Sequence, residues 1–114
     1  MRLMRAVCVL VGAVAVLRTG VLAEGADGKK IYDLRCAFCH GVEGRGDGPA
    51  GAALKPPATN FTVPGYAKNA SLDRIKETVA QGRQGTAMIA FGKTLKPEEV
   101  EAVANYILQQ LATK

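Results

Sequence analysis

The chain has 114 residues, a formal charge of +5, three cysteines, 5% aromatic residues and no tryptophan. This length allows one small domain, and so few aromatic residues give a core that needs a cofactor or another cross-link for stability. The positive charge alone would suit a nucleic-acid-binding protein, but the distribution of the charge along the chain excludes that class.

The first 23 residues have the pattern of an export signal. Arg2 and Arg5 precede an apolar run over residues 6–17, and residues 21–23 are small or apolar where a signal peptidase cleaves. The alternative is a membrane anchor, which needs roughly 20 apolar residues, more than this run provides. We predict cleavage after Ala23, with a signal peptide over 1–23 and a periplasmic domain over 24–114.

Removal of the signal changes the composition of the domain. The signal holds three arginines and no acidic residue, which leaves a formal charge of +2 and no basic stripe with interleaved aromatic residues. A nucleic-acid partner is therefore not expected. Cys8, Met1 and Met4 also leave with the signal, so the domain keeps two cysteines, one histidine and one methionine.

Asp27 is a good N-cap for a first helix from Gly28 to about Ala37, which leads into Cys36-Ala-Phe-Cys39-His40. Two thiols at this spacing can bond to the two vinyl groups of a haem while the next imidazole binds its iron. A thioredoxin-like pair needs a βαβ context, and a zinc site needs further Cys or His ligands, which the domain lacks. The motif predicts covalent attachment of haem c, with His40 as an iron ligand.

Residues 41–70 hold most of the prolines and many of the glycines, so we expect a long loop without secondary structure that wraps the haem. Ser71 then caps a middle helix, which Gly82 can end. Apolar residues at helical spacing predict a last helix over about 97–112, although Lys96 is a poor N-cap for it.

Met88 is the only methionine of the domain and lies in a loop bracketed by Gly85 and Gly92. Methionine commonly fills gaps in a core, but a loop can also bring its sulfur to the second face of a haem. Its uniqueness and its position favour ligation. His/Met ligation raises the reduction potential of a haem, which suits electron transfer.

Together these features resemble the class I cytochromes c, which have an all-α fold of three main helices and long loops around one covalently attached haem. The similar positions cover most of the domain: Gly28, Ile31 and Tyr32, the haem motif with Gly41, Gly48-Pro49, Thr86 to Met88 with Phe91-Gly92, and Val103 with Tyr106. The chain departs from many members at Ile89, where they have proline, and in having no tryptophan.

The resemblance implies roles for further residues. It implies a close crossing of the first and last helices at Gly28, Tyr32, Val103 and Tyr106. Pro49 matches a proline whose carbonyl accepts a hydrogen bond from the histidine ligand in many members. The candidates for contacts with the haem propionates are Asn60, Tyr66 and Arg83.

The implied function is to carry one electron between a donor and an acceptor redox protein, without a substrate and with membrane contact only through a partner complex. The long loop is also similar to modules of terminal oxidases and denitrification enzymes, so an oxidase or reductase is a candidate partner. Two alternatives stay open: a haem sensor or peroxidase-like protein with a labile Met88 ligand, and a fixed cytochrome subunit of a larger oxidoreductase.

Overall fold

The computed structural model describes Gly12 and residues 25–113, so the predicted signal cleavage lies outside the described residues. Within this part the chain is helical and contains no strand. The α-helices are α1 (Gly28–Arg35), α2 (Ala37–His40), α3 (Tyr66–Asn69), α4 (Leu72–Gln81) and α5 (Pro97–Tyr106), and a π-helical turn (Ile107–Leu111) continues α5. Over the described residues, no helix has both the length and the apolar character that crossing a membrane requires.

The first helix begins as predicted but is divided at Cys36. The Asp27 carboxylate accepts a hydrogen bond from the backbone N–H of Lys30 at 3.1 Å, which is the expected N-cap. α1 ends at Arg35, and the single turn of α2 carries the rest of the haem motif. The backbone N–H of His40 still donates to the Cys36 carbonyl at 2.9 Å, so the divided helix stays connected by hydrogen bonds.

α1 and α5 cross at a glycine. A Cβ at Gly28 would overlap the backbone oxygen of Ala102 and lie 3.0 Å from the Tyr106 Cβ, so only glycine allows this approach. Tyr32 is fully buried beside the crossing, and its ring centroid lies 5.4 Å from that of Tyr106. The expected crossing is confirmed, with Ala102 as the nearest backbone neighbour of Gly28.

α4 packs on the other side of α5 and begins and ends where the sequence predicts. The Ser71 hydroxyl accepts a hydrogen bond from the backbone N–H of Arg74 at 3.2 Å, and Gly82 ends the helix with a φ of 70°. Ile75 and Val79, one turn apart, are buried on its inner face. α4 thus forms one wall of the space between the long loop and the Met88 loop.

The last helix differs from the prediction at its C-terminal end. Its start is reinforced by Glu99, whose carboxylate accepts from the backbone N–H of Lys96 at 2.9 Å, so the poor N-cap is partly compensated. After Tyr106 the backbone hydrogen bonds join residues five positions apart instead of four, as in the bond from the N–H of Ala112 to the carbonyl of Ile107 at 2.9 Å. The helix therefore runs nearly as far as predicted, but its last turn is π-helical.

The long loop is not entirely without secondary structure, contrary to the prediction. α3 forms one turn within it, after Gly65 at a φ of 87°. The side-chain amide of Asn69 donates to the Gly65 carbonyl at 3.0 Å and closes the turn. This turn holds Tyr66 on the inner side of the loop.

Candidate functional site

One cavity of about 610 Å³ lies between α2, α4, the long loop and the Met88 loop. Its volume is within the range of small-molecule and cofactor sites. Its lining includes both cysteines of the motif, His40 and Met88. The structure therefore brings together the four side chains that the sequence assigned to haem attachment and iron ligation, although Met88 is 48 positions from His40 in the numbering.

The chemistry of the lining fits a haem. Most of the wall is apolar, from residues such as Ile75, Val79, Phe91 and Ile107, and three arginines but no acidic side chain also line it. A haem presents a flat apolar ring and two carboxylates, which this combination can accept. Across the described chain, no group of three or more His, Cys, Asp or Glu side chains could hold a metal ion by itself, which disfavours the zinc alternative.

The imidazole of His40 is held at one nitrogen and on one face. Its Nδ1 lies 3.0 Å from the backbone oxygen of Thr59, an acceptor that places the proton on Nδ1 and leaves Nε2 free as a ligand. Its ring stacks on Phe61, with centroids 4.6 Å apart and an interplanar angle of 16°. Burial lowers the pKa of His40, and the Thr59 hydrogen bond only partly opposes this shift. The surroundings therefore favour the neutral ring that metal ligation requires.

The prediction that the Pro49 carbonyl accepts a hydrogen bond from His40 is wrong for this chain, because His40 Nδ1 faces the carbonyl of Thr59 instead. Pro49 is exposed and does not line the cavity. Its turn is bound elsewhere, because the backbone N–H groups of Gly48 and Ala50 donate to carbonyls of the haem motif at 3.2 and 3.1 Å. The chain reaches the imidazole only later, at Thr59.

The two cysteines of the motif form no disulfide and face the same cavity. Burial raises the pKa of the Cys36 thiol to about 11, with a smaller contribution from Cys39. The surroundings of Cys36 therefore disfavour a charged sulfur. A thioether, formed when the thiol adds across a vinyl group, carries no charge and suits this position.

Met88 is placed by hydrogen bonds within its own loop. Its backbone N–H donates to the Thr86 hydroxyl at 3.2 Å, and that hydroxyl donates to the Arg83 carbonyl at 2.8 Å. The backbone N–H of Arg83 in turn donates to the Met88 carbonyl at 3.1 Å. The loop forms a closed set of local bonds that directs a half-buried Met88 toward the cavity.

The candidates for propionate contacts are only partly brought together. Tyr66 and Arg83 line the cavity. Burial raises the pKa of the Tyr66 hydroxyl, and the positive charge of Arg83 lowers it by a smaller amount. Asn60 does not line the cavity. Its side-chain oxygen instead accepts from the backbone N–H and hydroxyl of Thr62 at 2.9 and 2.7 Å, so it stabilises a turn of the loop.

Several site residues had no signal in the sequence. Arg35 and Arg74 line the cavity together with Arg83, and Thr59 and Phe61 contact His40. Arg74 lies in the first turn of α4, where nothing distinguishes it from an ordinary surface arginine. Thr59 acts through its backbone oxygen, which any residue type would supply.

Comparison with known proteins gives a consistent result. The family model for Cytochrome c matches residues 25–110. Cytochrome c6 of Rippkaea orientalis is 35% identical over 100 residues, covering 86% of this chain and 81% of that protein. The cbb3-type cytochrome c oxidase subunit FixP of Bradyrhizobium sp. is 38% identical over 92 residues, which are 72% of this chain but 29% of that subunit.

Among solved structures, the KustC0563 c-type cytochrome superposes with a TM-score of 0.62 at 30% identity. The match covers 72% of this chain and 94% of that chain.

Proposed function

The chain belongs to the cytochrome c family, and we propose that it is an exported carrier that moves one electron at a time between redox proteins through a haem ligated by His40 and Met88. Membership of this family gives the chain one covalently bound haem c. When bound, this group supplies a one-electron Fe(III)/Fe(II) couple. The proposal rests on the observation that one cavity is lined by all four of Cys36, Cys39, His40 and Met88.

Each side chain has a defined task. Cys36 and Cys39 hold the haem by thioether bonds, so it is not lost in dilute solution. His40 binds through Nε2, because Nδ1 is turned to the Thr59 carbonyl at 3.0 Å. The neutral thioether of Met88 favours the reduced iron and raises the reduction potential above that of a site with two imidazoles.

We assign the propionates to the cationic part of the wall, with Arg83, Tyr66 and also Arg74 as their partners. These residues line the cavity with no acidic side chain among the lining residues. Guanidinium groups bind carboxylates by charge-assisted hydrogen bonds, so they keep both propionates ionised. Replacing Arg74 by Gln lowers the reduction potential, because a positive charge near the iron favours its reduced state.

Electrons are exchanged at the rim of the cavity between α2 and the Met88 loop. Phe38 and Ile89 both line the cavity and are about two thirds exposed, at 66% and 64%. Lys55 and Lys93 are exposed charges in the neighbouring loops. A small patch of this kind suits a short-lived redox complex, and the modest charge of the domain predicts a weak dependence of its rate on salt.

The docking patch is tested by Ile89→Asp, with Leu34→Asp as the matched control. Leu34 is equally apolar and 72% exposed but does not line the cavity. Ile89→Asp slows electron exchange with a partner protein while the spectrum stays that of a Met-ligated haem, and Leu34→Asp leaves the rate unchanged. Equal rates in the two variants would place the patch elsewhere.

A haem sensor or peroxidase-like protein is the second candidate, favoured by the local construction of the Met88 loop. Carbon monoxide mixed rapidly with the reduced protein separates the two functions. The carrier binds it slowly or incompletely at neutral pH, since Met88 stays on the iron. Fast and complete binding would favour the sensor.

A fixed subunit of a larger oxidoreductase is the third candidate, and the similarity to FixP supports it, although the chain spans only 29% of that subunit. An oxidase or a reductase is then the acceptor. Purification from the native source distinguishes the two arrangements: the diffusing carrier separates from other proteins at moderate salt, and a stoichiometric partner that stays bound would select the subunit.

The periplasmic location rests on the export signal over residues 1–23. We expect the N-terminus of the purified protein to be residue 24 and its mass to equal that of residues 24–114 plus one haem. A mass equal to the bare polypeptide, after expression in a host that attaches haem, would contradict both the attachment and the function built on it.

A further inference from the structure

The contact between His40 and Phe61 is more specific than ordinary core packing. The two rings are nearly parallel, at 16°, with centroids 4.6 Å apart, which is the geometry of offset stacking. Phe61 is 6% exposed, so its ring cannot turn away into solvent. The Thr59 oxygen, 3.0 Å from Nδ1, adds a second constraint from the same stretch of loop.

Phe61 is itself held from three directions. Its backbone N–H donates to the Gly44 carbonyl at 2.7 Å, and the Tyr66 ring meets its ring at 60° with centroids 5.3 Å apart. A Cβ at Gly44, where φ is 77°, would lie 3.1 Å from the Phe61 ring and 3.0 Å from a methyl group of Leu111. Gly44 therefore lets the loop pack closely against both side chains.

Leu111 is fully buried, at 1% exposure, and ends the π-helical turn. Because the hydrogen bond from Ala112 to Ile107 spans five residues instead of four, the side chains of the last turn point in different directions than in a regular α-helix. The C-terminus of the chain thus completes the packing behind Gly44 and Phe61. A ring held by so many neighbours is a rigid surface for the imidazole.

We propose that Phe61 is a positioning residue that fixes the rotation of the His40 imidazole about its bond to the iron, an inference that rests on His40 being the ligand as proposed above. The Nδ1 hydrogen bond alone tolerates some rotation, because a carbonyl oxygen accepts over a broad range of directions. A face-to-face contact does not, since rotation would drive the imidazole edge into the Phe61 ring. Outer contacts of this kind orient metal ligands and tune the metal.

The test is Phe61→Leu in the haem-loaded, oxidised protein, observed by proton NMR. The plane of the imidazole and the orientation of the methionine sulfur together set the order and spread of the four paramagnetically shifted haem methyl resonances. We expect this pattern to change in Phe61→Leu, while the sulfur-to-iron charge-transfer band that reports Met88 ligation is retained. The same pattern in the variant and the parent protein would overturn the proposal.

Two further variants separate orientation from stability. Val103→Ala makes a space at a fully buried position that does not line the cavity, so it lowers stability but keeps the methyl pattern. Phe61→Tyr keeps an aromatic ring at this position, so we expect it to retain the methyl pattern of the parent protein. If Val103→Ala changed the pattern as much as Phe61→Leu, a general loosening of the fold would be the cause, and the proposal would fail.

If Phe61→Leu does not fold, a measurement on the unaltered protein still tests the proposal. In the reduced, diamagnetic state, nuclear Overhauser contacts are expected between the ring protons of Phe61 and those of His40. Their absence would refute the role of Phe61. Absence of the Met88 charge-transfer band from the parent protein would instead refute the proposed ligation, so the two failures are distinguishable.

Discussion

The His40 side of the cavity is held by groups about twenty residues away in the chain, whereas Met88 is held by bonds within its own loop, whose end is joined to α4 by the backbone N–H groups of Phe91 and Gly92. His40 contacts Thr59 and Phe61, which follow it by about twenty residues. The hydrogen bonds of Met88 are made to Thr86 and Arg83, at most five positions away. Opening the first side requires the long loop to unpack, while the second can open by rearranging a few residues.

This contrast separates two tasks. In the proposed ligation, His40 would be a ligand fixed by packing and Met88 a ligand on a locally bonded loop, so the Met88 side would need less unpacking to move. Changes at the Met88 loop should therefore appear first in the spectrum. Changes on the His40 side should appear first in the free energy of unfolding.

The largest effect is expected from Met88→Ala. The thioethers keep the haem attached, but the sixth ligand is lost, so the charge-transfer band disappears and the reduction potential falls markedly. Ile89→Ala is the control, since it shortens the neighbouring side chain and leaves the sulfur in place. An unchanged oxidised spectrum in Met88→Ala would mean that another group holds this position on the iron.

A pair of glycine variants tests how the Met88 loop is held. Gly82 and Gly85 both have positive φ values, 70° and 75°, which strain an alanine at either position; Gly82 also has a ψ of −170°, in a region essentially restricted to glycine, where the strain is about 1–3 kcal/mol. A Cβ at Gly82 would also lie 2.7 Å from the Met88 oxygen, whereas one at Gly85 meets nothing within 4 Å. This overlap adds about 1–3 kcal/mol at Gly82.

Gly82→Ala should therefore weaken the charge-transfer band as well as lower stability, and Gly85→Ala should lower stability alone. The absorption of the oxidised proteins and their thermal unfolding provide the two readouts. Equal loss of the band in both variants would show that backbone strain, and not the contact with Met88, controls the position of the loop.

A smaller effect is expected on the His40 side from Tyr32→Phe. The Tyr32 hydroxyl donates to the carbonyl of Gly41, the residue after His40, at 2.6 Å in a buried position. This carbonyl still accepts from the backbone N–H of Gly44 at 3.1 Å, so losing the Tyr32 bond costs about 0.5–1.5 kcal/mol, the contribution of one hydrogen bond. Chemical unfolding measures this loss, and the charge-transfer band should not change. A loss of the band without a loss of stability would reverse the assignment of the two sides.

The same hydroxyl makes stability depend on pH under alkaline conditions. Burial, the main cause, raises the pKa of Tyr32 above its ordinary value of 10.0, so the folded protein holds this proton more tightly than the unfolded chain. Its contribution is therefore complete below pH 10 and is lost as the pH rises above that value. We expect a smaller alkaline loss of stability in Tyr32→Phe than in the parent protein or in Tyr106→Phe. Equal slopes in all three would exclude Tyr32 as the cause.

The difference between the two sides also decides what the sequence could predict. The haem motif and the helix caps at Asp27 and Ser71 are local patterns; the structure confirms the two caps and places the side chains of the motif at one cavity. Met88 is predicted as a ligand because it is unique in the domain and its loop is bracketed by glycines. Signals of this kind need no knowledge of the path that the chain takes.

The second layer of the His40 side could not be predicted in the same way. Whether Pro49 or Thr59 accepts the hydrogen bond depends on where the long loop passes the imidazole, and the acceptor is a backbone atom without a residue preference. The stacking of Phe61 and the π-helical turn that ends at Leu111 depend on contacts between segments far apart in sequence. Asn60 does not line the cavity, because its side-chain oxygen accepts hydrogen bonds within a turn that composition alone does not reveal.

The central claim is that this chain carries electrons through a haem held between His40 and Met88, and a redox titration followed by absorption tests it most directly. The protein should be matured in a host that attaches haem. The account predicts one reversible one-electron transition and, in the oxidised state, a sulfur-to-iron charge-transfer band that Met88→Ala removes. An oxidised spectrum without that band in the unaltered protein, or a titration that needs more than one electron per chain, would contradict it.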